Sequence, residues 1–99
     1  LGKMAKATIN MVSKSIQSFI KQNLVIAHEV IEQDDIVDEL FNRVKKETIS
    51  LIHEDPGKGE ECVALVMIAK YFERIGDHAS NIAEWVEFAI TGEYKGGSL

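Results

Sequence analysis

The sequence predicts an all-α fold, an antiparallel three-helix bundle with long second and third helices. Three observations predict it. Residues 3–53 contain no Gly or Pro and are rich in helix formers. Residues 60–91 have the same character, with Gly76 as the only interruption. No stretch shows the apolar–polar alternation of a half-buried strand.

Each element follows in order. Helix one is expected over about residues 3–21, with Met4, Thr8, Met11, Val12, Ile16 and Phe19 on its inner side and Lys3, Lys14 and Lys21 opposite, at about 100° per residue. A break is expected at Gln22-Asn23, since Asn is a strong N-cap. Helix two then spans about residues 24–53, with an apolar stripe through Ala27, Val30, Val37, Phe41, Val44, Leu51 and Ile52. Asp55-Pro56-Gly57-Lys58-Gly59 is a loop by composition. Helix three, about residues 60–91, carries a stripe of Leu65, Ile68, Phe72, Gly76, Ala79, Ala83, Val86 and Ile90. Short connections make neighbouring helices antiparallel. Residues 1–92 are expected to form the bundle, and the Gly-containing stretch 93–99 a flexible tail.

Composition narrows the function. The chain has 99 residues and a net charge of −5, which argues against nucleic acid as a partner. The single Cys62 excludes an internal disulfide framework and a Cys-rich zinc site, and is expected in or near the core. The longest apolar run, Cys62 to Ala69, is too short to span a bilayer, and no signal peptide is visible, so a cytoplasmic location is expected. The charge is unevenly spread. Residues 1–28 carry Lys3, Lys6, Lys14 and Lys21 and no acid. Residues 29–39 carry Glu29, Glu32, Asp34, Asp35, Asp38 and Glu39 and no base. A second acidic segment holds Glu73, Asp77, Glu84 and Glu87 against Arg74.

Two carboxylate pairs stand out within these segments. Asp34 and Asp38 are four residues apart and share a helix face, with Asp34 inside the apolar stripe and Asp38 on its margin. Glu73 and Asp77 have the same spacing and begin an acidic and polar column that continues through Ser80 and Glu84. Counted back and forward from the loop, the two pairs lie at about 25 Å and about 22 Å along their helices. An antiparallel hairpin would therefore bring four carboxylates to one height, with Asp35 and Glu84 nearby. Like charges at that density repel, and a cation that favours oxygen ligands relieves them. A solvated acidic face, or a network with lysines of the first helix, would explain the same pattern. No Glu-x-x-His, His-Glu-x-x-His or Ser-His-Asp arrangement is present, so a metallohydrolase is disfavoured and no catalytic residue is assigned. His28 and His53 are expected at helix surfaces. Arg74, His78, Trp85 and Phe88 lie away from the acids and form a candidate partner surface, unless the first helix or a second copy covers them.

The segment Lys70-Tyr-Phe-Glu-Arg-Ile-Gly-Asp-His-Ala-Ser-Asn-Ile-Ala-Glu84 closely resembles the signature helix of the PhoU family of phosphate-transport accessory and regulatory proteins. Glu73-x-x-x-Asp77 matches its acidic motif, and Asp34-x-x-x-Asp38 looks like the partner motif of the preceding helix. Ser80 stands where Thr is usual. The family has two three-helix repeats, each with such a pair of motifs. This chain, which begins at Leu1 and carries one set, resembles one repeat, and the run from Trp85 to Lys95 suggests the C-terminal half. The resemblance implies that Asp34, Asp38, Glu73 and Asp77 bind a multinuclear metal cluster, with iron or zinc the expected metals and other divalent ions as alternatives. Asp35, Ser80, Asn81 and Glu84 would be further ligands or would support the ligands. It also implies a non-enzymatic regulator, acting negatively on the phosphate-starvation regulon and so indirectly on transcription. Its partners would be the ATPase subunit of the phosphate ABC transporter and a sensor histidine kinase. A homodimer and a peripheral association with membranes through the basic first helix are further expectations. A metal-independent helical interaction module is the alternative.

Overall fold

The computed structural model describes residues 1–92, so the expected tail at 93–99 lies outside the described residues. The element order is α1 (Gly2–Lys21), α2 (Leu24–Glu54), a one-turn 3-10 segment (Pro56–Lys58) and α3 (Gly59–Thr91). These bounds fall within two residues of those the sequence predicts. The three helices pack side by side in a rod of 52 × 22 × 15 Å, each touching both others.

Local chemistry sets both connections. Gln22 ends α1 in the left-handed region, with φ 51°, and its amide side chain donates to the Phe19 carbonyl at 2.8 Å. The next residue, Asn23, caps α2: its Oδ1 accepts from the Ile26 amide at 3.1 Å. At the far end Asp55 Oδ1 accepts from Gly57 N at 3.2 Å, and Pro56 opens the 3-10 turn, where its missing N–H costs nothing.

The packed interior consists of Met4 and Met11 from α1, Ala27, Val30, Val37 and Phe41 from α2, and Ala69, Ala79, Ala83 and Val86 from α3. Many of its other members are small or hydroxylated. Thr8, Ser15 and Ser18 of α1 are buried, and each hydroxyl donates to a carbonyl three or four residues back in its own helix. This differs from the expected stripes. Ile16 and Phe19 of α1 are exposed, and Ser15 and Ser18 hold the inner positions instead. Leu51, Ile52, Leu65 and Ile68 are also exposed. At about 1.5 Å per residue α1 is much shorter than α2 and α3, and it cannot cover the hairpin near the loop. Cys62 is fully buried there, as expected.

Candidate metal centre

The α2–α3 hairpin brings the two acidic segments to the same height. One carboxylate oxygen each from Asp34, Asp38 and Asp77 lies within 4.8 Å of the others. Two adjacent helices thus aim three like charges at one point. Asp34 and Asp38 are half-buried and Asp77 is exposed, so the cluster sits at the mouth of the hairpin groove and opens to solvent.

Glu73, the fourth predicted ligand, joins through a neighbour. Its carboxyl lies close enough to Asp38 to push that group's pKa up, and it also takes the Lys70 ammonium one turn back on α3. Asp77 stands against Asp34 and likewise pushes its pKa up. Asp34 Oδ1 itself is buried and has no hydrogen-bond partner. A buried acceptor left unmatched costs on the order of 1–3 kcal/mol, more if charged.

Electrostatics follow from this crowding. Burial, then repulsion from Asp38 and Asp77, pushes the Asp34 carboxyl up to about 7. Burial, then contact with Glu73, pushes Asp38 up to about 6. Both lie well above the ordinary carboxylate range of about 4. No lysine of α1 relieves them: Lys14 pairs with Glu29 at 2.9 Å, on the flank of α1 that faces the start of α2. The orphaned Asp34 oxygen and the all-oxygen donor set fit a hard or borderline cation, which would replace the protons on Asp34 and Asp38.

Gly76 lies one residue before Asp77 and is buried where the three helices meet. A Cβ there would lie 3.5 Å from Met11 Sδ, 3.5 Å from Val37 Cγ1 and 3.6 Å from Asp34 Oδ1. These are ordinary contact distances. The glycine therefore leaves a methyl-sized space beside the buried oxygen rather than relieving a clash.

The other candidates separate by position. Asp35 is exposed and acts on the cluster through its charge. Ser80 is buried one turn beyond Asp77, and Asn81 is half-buried beside it. Glu84 lies seven residues from Asp77, roughly 10 Å along the helix. It belongs to a different group. One of its oxygens is buried without a partner, and burial followed by repulsion from Glu87 raises its pKa. Glu87 is only 6% exposed and meets His28 Nε2 at 2.6 Å, tying the end of α3 to the start of α2. His28 is exposed, as the sequence predicts, but sequence reasoning gave Glu87 no role. The signal was available: Glu87 falls four residues after Ala83, on the buried face of α3.

Arg74, His78, Trp85 and Phe88 are all exposed, but they do not share one side of α3: Phe88, four residues after Glu84, falls in line with the acids, contrary to the expectation. The Trp85 and Phe88 rings meet edge to face at 5.8 Å, and the Arg74 guanidinium lies 5.9 Å from the centre of the Tyr71 ring. No helix among the described residues is long and apolar enough to cross a membrane.

Residues 1–86 match the PhoU domain. Among curated relatives, a protein of Zymomonas mobilis is 39% identical over 90 residues, covering 91% of this chain and 38% of the relative. One from Clostridium acetobutylicum is 33% identical, over 91% of this chain and 41% of the relative. One from Caulobacter vibrioides is 35% identical, over 92% and 40%. Each bears the name phosphate-specific transport system accessory protein PhoU homolog. The chain spans about two fifths of the length of these relatives. A signature helix, a second acidic motif at the same height and a family match over nearly the whole bundle agree: the chain belongs to the PhoU family.

Proposed function

We propose that this chain is a metal-binding regulatory part of a phosphate-uptake system, and that its carboxylate centre is where the metal binds. The single observation that carries the reading is the convergence of Asp34, Asp38 and Asp77 on one point, with a buried Asp34 oxygen that nothing in the protein satisfies. A bound cation would supply positive charge there and lock α2 against α3. Asp34, Asp38 and Asp77 would hold it, and Glu73, close beside Asp38, would join them. Several carboxylates on one groove suit more than one ion, and iron and zinc are the first metals to test. Asp35, Ser80 and Asn81 would tune the centre from its edge. Glu84, two turns away, would act outside it.

The relatives' shared name supports a role as an accessory to phosphate transport. The reading extends this to negative control of the phosphate-starvation response from the cytoplasm, through contacts with the transporter's ATPase subunit and a sensor histidine kinase. Binding and regulation, not catalysis, is the role assigned.

The test is metal content. Chain purified without chelators is expected to carry iron, zinc or another divalent ion by elemental analysis. Asp34→Asn combined with Asp77→Asn is expected to weaken binding by tenfold or more in titration calorimetry. Unchanged metal content in the double variant would overturn the site. A second reading, a metal-independent interaction module, draws on the exposed Trp85–Phe88 pair. It predicts that binding to the ATPase subunit survives the same two substitutions.

A further inference from the structure

The two acidic motifs hold four carboxylates, but only Asp34, Asp38 and Asp77 converge on one point. Glu73 stands beside Asp38, outside that group. Its partner sets it apart. The α2–α3 hairpin stacks these residues as rungs along its groove. Asp34 stands against Asp77, and Asp38 against Glu73. One turn nearer the loop, the next rung is Phe41 and Lys70, with Lys70 Nζ 5.2 Å from the centre of the ring. The Lys70 ammonium pairs with Glu73, three residues on. Among the described residues it is the only cation that forms an ion pair with any of the four acids.

This lysine is held more firmly than an ordinary surface lysine. Phe41 is only 8% exposed, and the Glu73 side chain 13%. The ammonium is therefore attracted both by an aromatic ring and by a largely buried carboxylate, where water screens the attraction less than at an open surface. The Lys70 side chain is itself 48% exposed, so the ammonium also has a way out to solvent.

We infer that Lys70 gates a second cation position in the acidic groove: its ammonium holds Glu73 until a divalent ion, bound by Glu73 together with Asp38, displaces it. The inference rests on the proposed metal centre and deepens it. A divalent ion and an ammonium cannot share Glu73 without strong repulsion at a separation of a few ångströms. The ion has two advantages in that competition. It carries twice the charge, and it takes several oxygens at once, whereas the ammonium meets a single Glu73 oxygen. Asp38 has two oxygens and can serve both cation positions. Once displaced, the ammonium swings to water while its apolar stem stays on Phe41. The groove thus fills in order. The first ion goes to Asp34, Asp38 and Asp77, where no cation has to leave. The second needs Glu73, and enters only at a concentration that expels Lys70.

Zinc titration calorimetry on the full chain, with bound ions counted by elemental analysis, tests it. Lys70→Leu removes the charge and keeps a helix-forming apolar stem. It is expected to tighten the second zinc step tenfold or more. Lys70→Arg keeps the cation and is expected to match the wild type. Lys45 Nζ also lies 5.2 Å from the centre of the Phe41 ring, but it pairs with none of the acids. Lys45→Leu is therefore expected to leave both steps unchanged. Should Lys70→Leu fail to fold, Lys70→Gln, a polar side chain at the same exposed position, is read in the same way. Equal zinc steps in the wild type and the neutral Lys70 variants would overturn the inference. So would Lys45→Leu tightening the second step as much as Lys70→Leu, or Lys70→Arg behaving like Lys70→Leu. In each of these cases, zinc binding that Asp34→Asn with Asp77→Asn abolishes leaves the metal centre standing. Zinc bound by neither the wild type nor the Lys70 variants would overturn both.

Discussion

Two ion pairs in this chain look alike on paper and differ in what surrounds them. Lys14 and Glu29 meet at 2.9 Å with side chains 38% and 47% exposed. Water screens both, and such a pair contributes roughly 0–1 kcal/mol. His28 and Glu87 meet at 2.6 Å, but the Glu87 side chain is only 7% exposed. Removing the histidine leaves a buried carboxylate with its main partner gone and Glu84 beside it. His28→Ala is therefore expected to cost about 1–3 kcal/mol, and Lys14→Ala under about 1 kcal/mol. Urea denaturation of the two variants at pH 7 checks the ordering. Equal losses would show that Glu87 finds water or another partner when His28 is gone. Conservative replacement by Gln, which can still donate to Glu87, is expected to recover part of the loss.

At the scale of elements, the α1–α2 junction depends on one side chain. Asn23 Oδ1 holds the Ile26 amide, which otherwise has no partner in the first turn of α2. Asn23→Ala is expected to lower stability by about 0.5–2 kcal/mol, and Asn23→Asp to retain most of it. Thermal melts followed by circular dichroism would read this, and an unchanged midpoint for the alanine variant would mean that the connection, not the cap, positions α2. This cap was legible in the sequence, because Asn after a helical run is a local signal. The height match of the two acidic motifs was legible too, since it needs only 1.5 Å per residue and a tight loop. The inner faces of α1 and of the hairpin tip were not. Apolar moment favours Ile16 and Phe19 as core, yet Ser15 and Ser18 are buried. Their hydroxyls satisfy themselves on their own helix, which lets helices approach closely and leaves the bulky residues for an outer face. A periodicity argument counts hydrophobes and cannot see whether a face meets its own chain or another. The Glu87–His28 pair escaped for a related reason: it joins helix ends that are far apart in sequence.

For the whole molecule, the acidic centre makes stability depend on pH in a direction opposite to that of most paired carboxylates. The folded-state values of Asp34 and Asp38 are raised, to about 7 and about 6, above an unfolded value of about 4. Between these limits the folded chain binds more protons than the unfolded one. Stability without metal therefore falls as pH rises from about 4 to about 7, and levels off above. Because the groups are only half-buried, solvent screening reduces the loss to on the order of 1–2 kcal/mol. A bound cation acts in the other sense. It replaces the protons on Asp34 and Asp38, so its affinity increases over the same window, and at 100 times its dissociation constant it would add about 2.7 kcal/mol. In chelator, the melting temperature is thus expected to drop between pH 5 and pH 8. With an excess of the bound divalent ion, the gain over chelator is expected to be small at pH 5 and on the order of 10 °C at pH 8. Asp34→Asn with Asp38→Asn removes both raised carboxyls. It should abolish the metal-induced gain and flatten the chelator curve. A chelator curve that rises toward pH 8 in the wild type, or a variant whose slope matches it, would mean the carboxylates are relaxed by water and exert no strain for a metal to relieve.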